Sequence, residues 1–117
     1  MNLEAIASSL HLEVKAGAEN LGVTVKGGYC GDLLSDVMAN SREGDVWITR
    51  QIHQNIIAVS SLKDLAGIIL VRGAEPAADT LEKAIKEKIP LLISELPAFE
   101  LAGLIYRMIG AGETKPT

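Results

Sequence analysis

The sequence predicts an α/β fold, a parallel sheet with helices on its faces. Its 117 residues suit one domain with one core. Hydrophobic residues make up 48% of the chain but aromatic residues only 3%, and such an aliphatic composition is typical of helices packed on buried parallel strands. From residue 46 onward, short aliphatic runs alternate with helical patterns, which indicates parallel crossovers.

The first part of the chain predicts two helices and two short strands. The opening helix, over residues 2–10, has apolar residues on one face: Leu3, Ile6, Ala7 and Leu10. Apolar residues then alternate with others in two strands: Leu12 and Val14 in the first, and Leu21, Val23 and Val25 in the second. Asp32 is a suitable N-cap for a helix over residues 33–38. The pattern does not place residues 1–30 in the sheet.

The second part predicts three strand–helix pairs. The predicted elements are, in order, a strand at 46–49, a helix at 52–65, a strand at 67–71, a helix that starts at Glu75-Pro76, a strand at 90–93 and a helix from Pro97 to Gly110. The inward positions are Ile52, Ile56, Val59 (or Ser60) and Leu62 in the first helix, Ala77, Leu81, Ala84, Ile85 and Lys88 in the second, and Leu101, Leu104 (or Ile105) and Met108 in the third. We expect one domain over residues 1–110 and a frayed tail over 111–117.

Charge and composition exclude several classes of partner. The net charge is −4, and binding to a phosphate backbone needs clustered basic residues. The apolar runs are too short to span a bilayer, and the N-terminus has no basic start followed by a long apolar stretch. With Cys30 as its only cysteine the chain forms no internal disulfide. We therefore expect a cytoplasmic protein that binds neither nucleic acid nor membrane.

The ends of the predicted parallel strands are the expected ligand site, because ligands bind beyond the carboxyl ends of such strands. The candidate residues there are Thr49, Arg50, His53, Gln54 and Asn55 after the first strand, and Arg72 and Gly73 after the second. Each arginine precedes a helix, whose N-terminus favours negative charge. One interpretation is an anion site for phosphate or a nucleotide. The alternative is that both arginines are solvated residues that pair with Glu75 and Glu95.

The glycines before residue 32 are a second candidate. Gly27, Gly28 and Gly31 let backbone amides approach a phosphate, but the spacing matches neither a P-loop nor a dinucleotide fingerprint. Turn-forming glycines are the simpler interpretation. Gly27 and Gly28 are nevertheless retained as candidate ligand contacts.

The sequence contains no convincing catalytic or metal site. His53 has no acid or nucleophile beside it in the sequence, so a structural role or a ligand contact is favoured. Cys30 has no identified base to activate it. Cys30, His11 and His53 lack the spacing of a zinc site. We therefore expect no enzyme activity, no metal and no cofactor.

Several segments together resemble small stand-alone DRTGG-domain proteins. The resemblance spans residues 11–109, and the segments that carry it are 27–40, 43–49, 65–71, 89–93 and 99–103. The family's Asp-Arg falls near His53-Gln54 and its Thr-Gly-Gly near residues 71–73, where only Gly73 is retained. This resemblance implies a fold similar to the N-terminal domain of bifunctional HPr kinase/phosphatases. The kinase chemistry of those enzymes belongs to a separate P-loop domain that this sequence does not resemble.

The resemblance and the residues together predict a regulatory or sensory domain. We expect it to bind a small anionic ligand, nucleotide- or phosphate-like, and a partner protein. The family's association with iron-only hydrogenases in anaerobic bacteria implies a redox-enzyme partner. A homodimer is also expected, through the last helix (Leu104, Met108, Ile109) or the first. The alternative is an interaction or oligomerisation module without a ligand.

Overall fold

A computed structural model describes residues 1–110 of the chain. The helices are α1 (Leu3–Ser9), α2 (Leu34–Asn40), α3 (Asn55–Lys63), α4 (Ala78–Glu87) and α5 (Ala98–Met108). The strands are β1 (Glu13–Ala16), β2 (Gly27–Cys30), β3 (Asp45–Thr49), β4 (Gly67–Leu70) and β5 (Leu91–Ile93). The tail predicted for 111–117 lies outside the described residues. Within 1–110 no helix is both long and apolar enough to cross a membrane.

The strands form one five-stranded sheet in the order β1-β5-β4-β3-β2. Neighbours among β2, β3, β4 and β5 are parallel, and β1 pairs antiparallel with β5. Every residue of β3, β4 and β5 is buried, as expected for strands with helices on both faces. The predicted fold class is confirmed.

Helices cover both faces of the sheet. The core under α2, α3 and α4 contains Val37, Ile57 and Ala84, whereas the core on the other face contains Ile6 of α1 and Leu101 of α5. This division follows from the topology, because parallel crossovers that all advance in one direction place their helices on the same face. The chain then returns after β5, so that α5 contacts β2 and β3 on the opposite face.

The N-terminal segment supplies a helix and an edge strand. Asn2 caps α1, since its side chain accepts a hydrogen bond from the backbone N–H of Ala5 at 2.9 Å. In β1 the pairing with β5 is irregular between Val14 and Ala16. Because of this shift Ala16 is buried while Val14 is 38% exposed. The prediction that Val14 faces inward with Leu12 is wrong.

The second predicted strand is also wrong, because the strand lies further along the chain. Around Leu21, Val23 and Val25 the structure has only an isolated bridge between Asn2 and Thr24. The strand β2 instead contains Gly27 and Gly28, so the interpretation of these glycines as turn residues is wrong. It forms because its backbone pairs with β3, an interaction that requires no particular side chains.

Four predicted inward positions are exposed instead. Ile52 precedes α3 and is 42% exposed, Leu62 is 71% exposed, and Ile85 is 56% exposed. Lys88 is exposed as well, because it is the C-cap of α4 and leaves the helix in a left-handed conformation. The buried residues of α3 include Ile57, which the predicted inward positions omit. Helix α3 begins three residues later than expected, and its consecutive residues Ile56 and Ile57 are both buried. In α5 the alternative Ile105 faces the core, at 2% exposure.

Candidate functional site at the carboxyl ends of the strands

The carboxyl ends of three strands lie side by side. The register pairs Thr49 of β3 with Leu70 of β4, and Leu70 with Ile93 of β5. Arg50 follows Thr49 directly, and Arg72 comes two residues after Leu70. Adjacent strands are about 4.8 Å apart, so the structure brings together Thr49, Arg50, Arg72 and Gly73 as predicted from the sequence.

The turn after β4 fixes the backbone that carries Arg72. Arg72 and Gly73 both adopt positive φ, at +54° and +68°. The N–H of Arg72 donates to the carbonyl of Leu96 at 3.0 Å, and the N–H of Gly73 donates to that of Ser94 at 2.8 Å. A Cβ at Gly73 would lie 2.9 Å from Oε1 of Glu95. The positive φ favours glycine at this position, and the exposed Glu95 side chain would have to move to admit a Cβ. The two hydrogen bonds hold the backbone of Arg72 in place.

Asp32 organises the end of β3 and does not cap α2. Its Oδ1 accepts hydrogen bonds from Thr49 Oγ1 at 2.7 Å and from the backbone N–H of Arg50 at 2.8 Å. Helix α2 begins after Leu33 and has no side-chain cap. The N-cap prediction for Asp32 is wrong, because the carboxylate binds a polar group on the neighbouring strand instead of the helix that follows it.

Two further hydrogen bonds join the β2–α2 connection to the end of β3. Gln51 Nε2 donates to the carbonyl of Asp32 at 2.9 Å, and the buried Trp47 donates from Nε1 to the carbonyl of Gly31 at 2.9 Å. Together with the Asp32 carboxylate they fix the backbone on both sides of Arg50. A loop whose backbone is already fixed by hydrogen bonds loses less conformational entropy when one of its side chains binds a ligand.

The remaining candidates after β3 lie at the start of α3. His53 Nδ1 accepts a hydrogen bond from the backbone N–H of Asn55 at 3.1 Å. The ring therefore caps the helix backbone, in the tautomer with its proton on Nε2. Gln54 occupies the N-cap position without a side-chain hydrogen bond, and Asn55 is exposed. These residues adjoin the end of β3, but His53 is committed to a structural hydrogen bond.

Both arginine side chains are exposed and make no ion pair within residues 1–110. Glu75 is one of the carboxylates expected to pair with them, but it forms an ion pair with Lys15 instead, with 3.4 Å between Glu75 Oε1 and Lys15 Nζ. Glu95 makes no ion pair with either arginine. The predicted ion pairs with Glu75 and Glu95 are therefore absent, whereas both arginines are solvated as that alternative expects. Two free guanidinium groups leave this edge of the sheet able to receive an anion.

The other predicted ligand contacts lie at the opposite end of the sheet. Gly27 and Gly28 of β2 align with Asp45 and Val46, the first residues of β3. The structure therefore does not bring them together with the arginines. Gly27 packs closely on β3, since a Cβ there would lie 2.9 Å from Asp45 Oδ1.

Tyr29 and Cys30 at the end of β2 have shifted pKa values. A hydrogen bond to the Asp36 carboxylate raises the pKa of Tyr29 from 10.0 to about 12. Desolvation raises the pKa of the Cys30 thiol, and the nearby Asp32 carboxylate adds to this. A raised pKa keeps the thiol protonated and weakly nucleophilic. No group of three or more His, Cys, Asp and Glu residues within 1–110 is arranged to hold a metal ion.

No family model matches this sequence, and no curated protein matches it. Among solved structures, the chain is similar to the CBS and DRTGG domains of the regulatory region of Clostridium perfringens pyrophosphatase, complexed with its activator diadenosine tetraphosphate. The TM-score is 0.64 at 19% sequence identity, and the match covers 89% of this chain and 45% of that one. This chain thus spans less than half of its neighbour's length. The likeness confirms a DRTGG-like α/β fold.

Proposed function

We propose that this chain is a non-catalytic regulatory or sensory domain that binds a small anionic, nucleotide- or phosphate-like ligand. The observation that carries the proposal is the pair of arginines at the ends of β3 and β4. Both are exposed and without an ion pair in residues 1–110, and both emerge from backbone held by hydrogen bonds.

The chemistry of this edge suits a phosphate. A guanidinium group presents a planar fork of donors that binds phosphate oxygens in pairs. The first turns of α4 and α5 add free backbone donors, because neither helix has a side-chain cap. The neighbour's activator, diadenosine tetraphosphate, is a polyanion, which supports a ligand of this class here.

The proposal is tested by thermal unfolding with diadenosine tetraphosphate, ATP or inorganic phosphate. A ligand at one hundred times its Kd stabilises the folded state by about 2.7 kcal/mol, which raises the Tm of a domain of this size by about 10 °C. Arg50→Ala and Arg72→Ala should each weaken binding about tenfold or more, since each removes a charge-assisted hydrogen bond. Arg42→Ala is the control, because Arg42 is also exposed but precedes β3 at the opposite end of the sheet.

Two outcomes contradict the proposal. If none of the three compounds raises the Tm, the ligand class is wrong. If a compound raises the Tm equally in the wild type, Arg50→Ala and Arg72→Ala, the site lies elsewhere. A smaller rise in Arg42→Ala alone would then indicate the residues next to Gly27 and Gly28, which Arg42 adjoins. Release of phosphate from ATP by the pure protein would overturn the assignment as non-catalytic.

A ligand-free interaction or oligomerisation module is the second candidate. The observation that favours it is the outer face of α5, where Phe99 is 91% exposed. Self-association without any ligand-dependent rise in Tm would support this candidate. A cytoplasmic location and a redox-enzyme partner stay predictions, which co-purification from the native organism tests.

A further inference from the structure

The outer face of α5 carries aromatic side chains that the domain does not bury. Leu101 and Ile105 face the core at 0% and 2% exposure, whereas Phe99 and Tyr106 on the other side are 91% and 59% exposed. They flank Gly103 at helical spacing, and a shallow groove runs along this face beside Ala102. Exposed aromatic residues grouped on one helix face are typical of protein interfaces.

Gly103 lies at the middle of this face, and the packing of the domain does not explain it. It is exposed, its φ is not positive, and a Cβ at this position would meet no atom within 4 Å. Glycine inside a helix lowers stability by about 1 kcal/mol relative to alanine. A glycine here allows another backbone to approach the helix closely.

Charges of opposite sign lie at the two ends of the same face. Glu100 is in the first turn of α5 and Arg107 in the last, about two helical turns apart. Both are exposed, and neither forms an ion pair with another residue in 1–110. Each also complements the helix dipole, so the charges alone do not establish an interface.

We propose that this face binds a second copy of the chain, with the two α5 helices antiparallel about a two-fold axis next to Gly103. In this arrangement Glu100 faces Arg107 of the partner subunit, and the symmetry forms the same pair twice. A parallel pair would instead place the two copies of Glu100 together. The charges on this face therefore match those of a second copy when the two helices are antiparallel. This self-complementarity of charge is the reason for proposing a second copy as the partner.

The exposed apolar area of this face determines the expected affinity of the dimer. From the usual surface area of aromatic side chains, Phe99 and Tyr106 together expose about 300 Å². With Leu104 and the two charged side chains this gives an interface at the lower end of specific ones, below about 1,200 Å² in total. We therefore expect a reversible dimer with a Kd on the order of micromolar. This proposal specifies the self-association expected above and does not depend on the ligand.

The test uses charge reversal and sedimentation equilibrium of the full chain from about 1 µM to about 1 mM. Glu100→Arg and Arg107→Glu should each weaken self-association about tenfold or more, because each replaces two attractive pairs by two repulsive ones. An equimolar mixture of the two variants should form a heterodimer about as strong as the wild-type dimer, since both of its charge pairs are then attractive. Gly103→Gln should also abolish association while it keeps the monomer folded.

The dimer proposal and the ligand proposal can fail independently. A wild-type chain that stays monomeric at the highest concentration overturns the dimer proposal, whatever ligands do to the Tm. Single variants that associate like the wild type, or a mixture that fails to associate while both variants retain their circular dichroism spectra, also overturn it. Lys83→Glu, on α4 away from this face, is the control and should associate like the wild type.

Discussion

Replacement of Asp32 by alanine should lower the free energy of unfolding by about 2 kcal/mol. The carboxylate accepts two hydrogen bonds, from Thr49 Oγ1 at 2.7 Å and from the N–H of Arg50 at 2.8 Å. Hydrogen bonds to charged groups contribute about 1.5–3 kcal/mol. Because Asp32 is exposed and solvent screens its charge, we expect about 1 kcal/mol from each of its two bonds, the value for an ordinary hydrogen bond. Thr49 is only 2% exposed, so its hydroxyl would lose its acceptor where water has little access.

Two further substitutions distinguish this bridge from an N-cap. Asp32→Asn retains an acceptor oxygen at the same distance and should cost about half as much, since only the charge is lost. Asp32→Ser could still cap a helix, but its side chain is one bond too short to reach Thr49. Serine should therefore be nearly as destabilising as alanine.

Urea denaturation followed by circular dichroism measures these differences. A double-mutant cycle of Asp32→Ala with Thr49→Val should give a coupling energy of about 1 kcal/mol. The reasoning fails if Asp32→Ala costs less than about 0.5 kcal/mol, or if serine is as mild as asparagine, which is the N-cap pattern.

Three other predictions concern α5 and β2. Gly103→Ala should raise the unfolding free energy of the dilute monomer by about 0.5–1 kcal/mol, because the new methyl group meets nothing and helix propensity improves; urea denaturation that shows a loss contradicts this. Because the pKa of Tyr29 rises from 10.0 to about 12 through Asp36, its contribution to stability is present below pH 10 and lost as the pH rises toward 12. Tyr29→Phe should therefore lose less stability than the wild type over that range, and equal losses would refute the hydrogen bond. The raised pKa of Cys30 should make its alkylation by iodoacetamide at neutral pH slower than that of an unstructured cysteine peptide; mass spectrometry that shows an equal rate contradicts the shift.

The three central strands and their sequence along the chain were predictable because buried parallel strands have a recognisable side-chain pattern. Every residue of β3 and β4 is buried, and the apolar runs 46–48 in β3 and 68–70 in β4 indicated strands directly. The rule that ligands bind beyond the carboxyl ends then brought Arg50 and Arg72 together without knowledge of any contact.

The edge strand and its connection could not be predicted in the same way. In β2 the pairing uses backbone groups, and the pair Gly27-Gly28 has the composition of a turn. Asp32 suggested an N-cap because capping is local, whereas its partner Thr49 is 17 residues away. A sequence pattern indicates local preferences, but the choice between a local and a distant hydrogen bond depends on the tertiary structure.

Binding of an anion at the ends of β3 and β4 can be followed residue by residue in an NMR titration. The labelled chain is titrated with diadenosine tetraphosphate while the chemical shift of each backbone amide is recorded. We predict the largest chemical-shift changes at residues 49–55 and 72–74, with Gly27 and Gly28 unaffected. Saturable changes confined to residues 27–31, or no changes at all, would contradict the account.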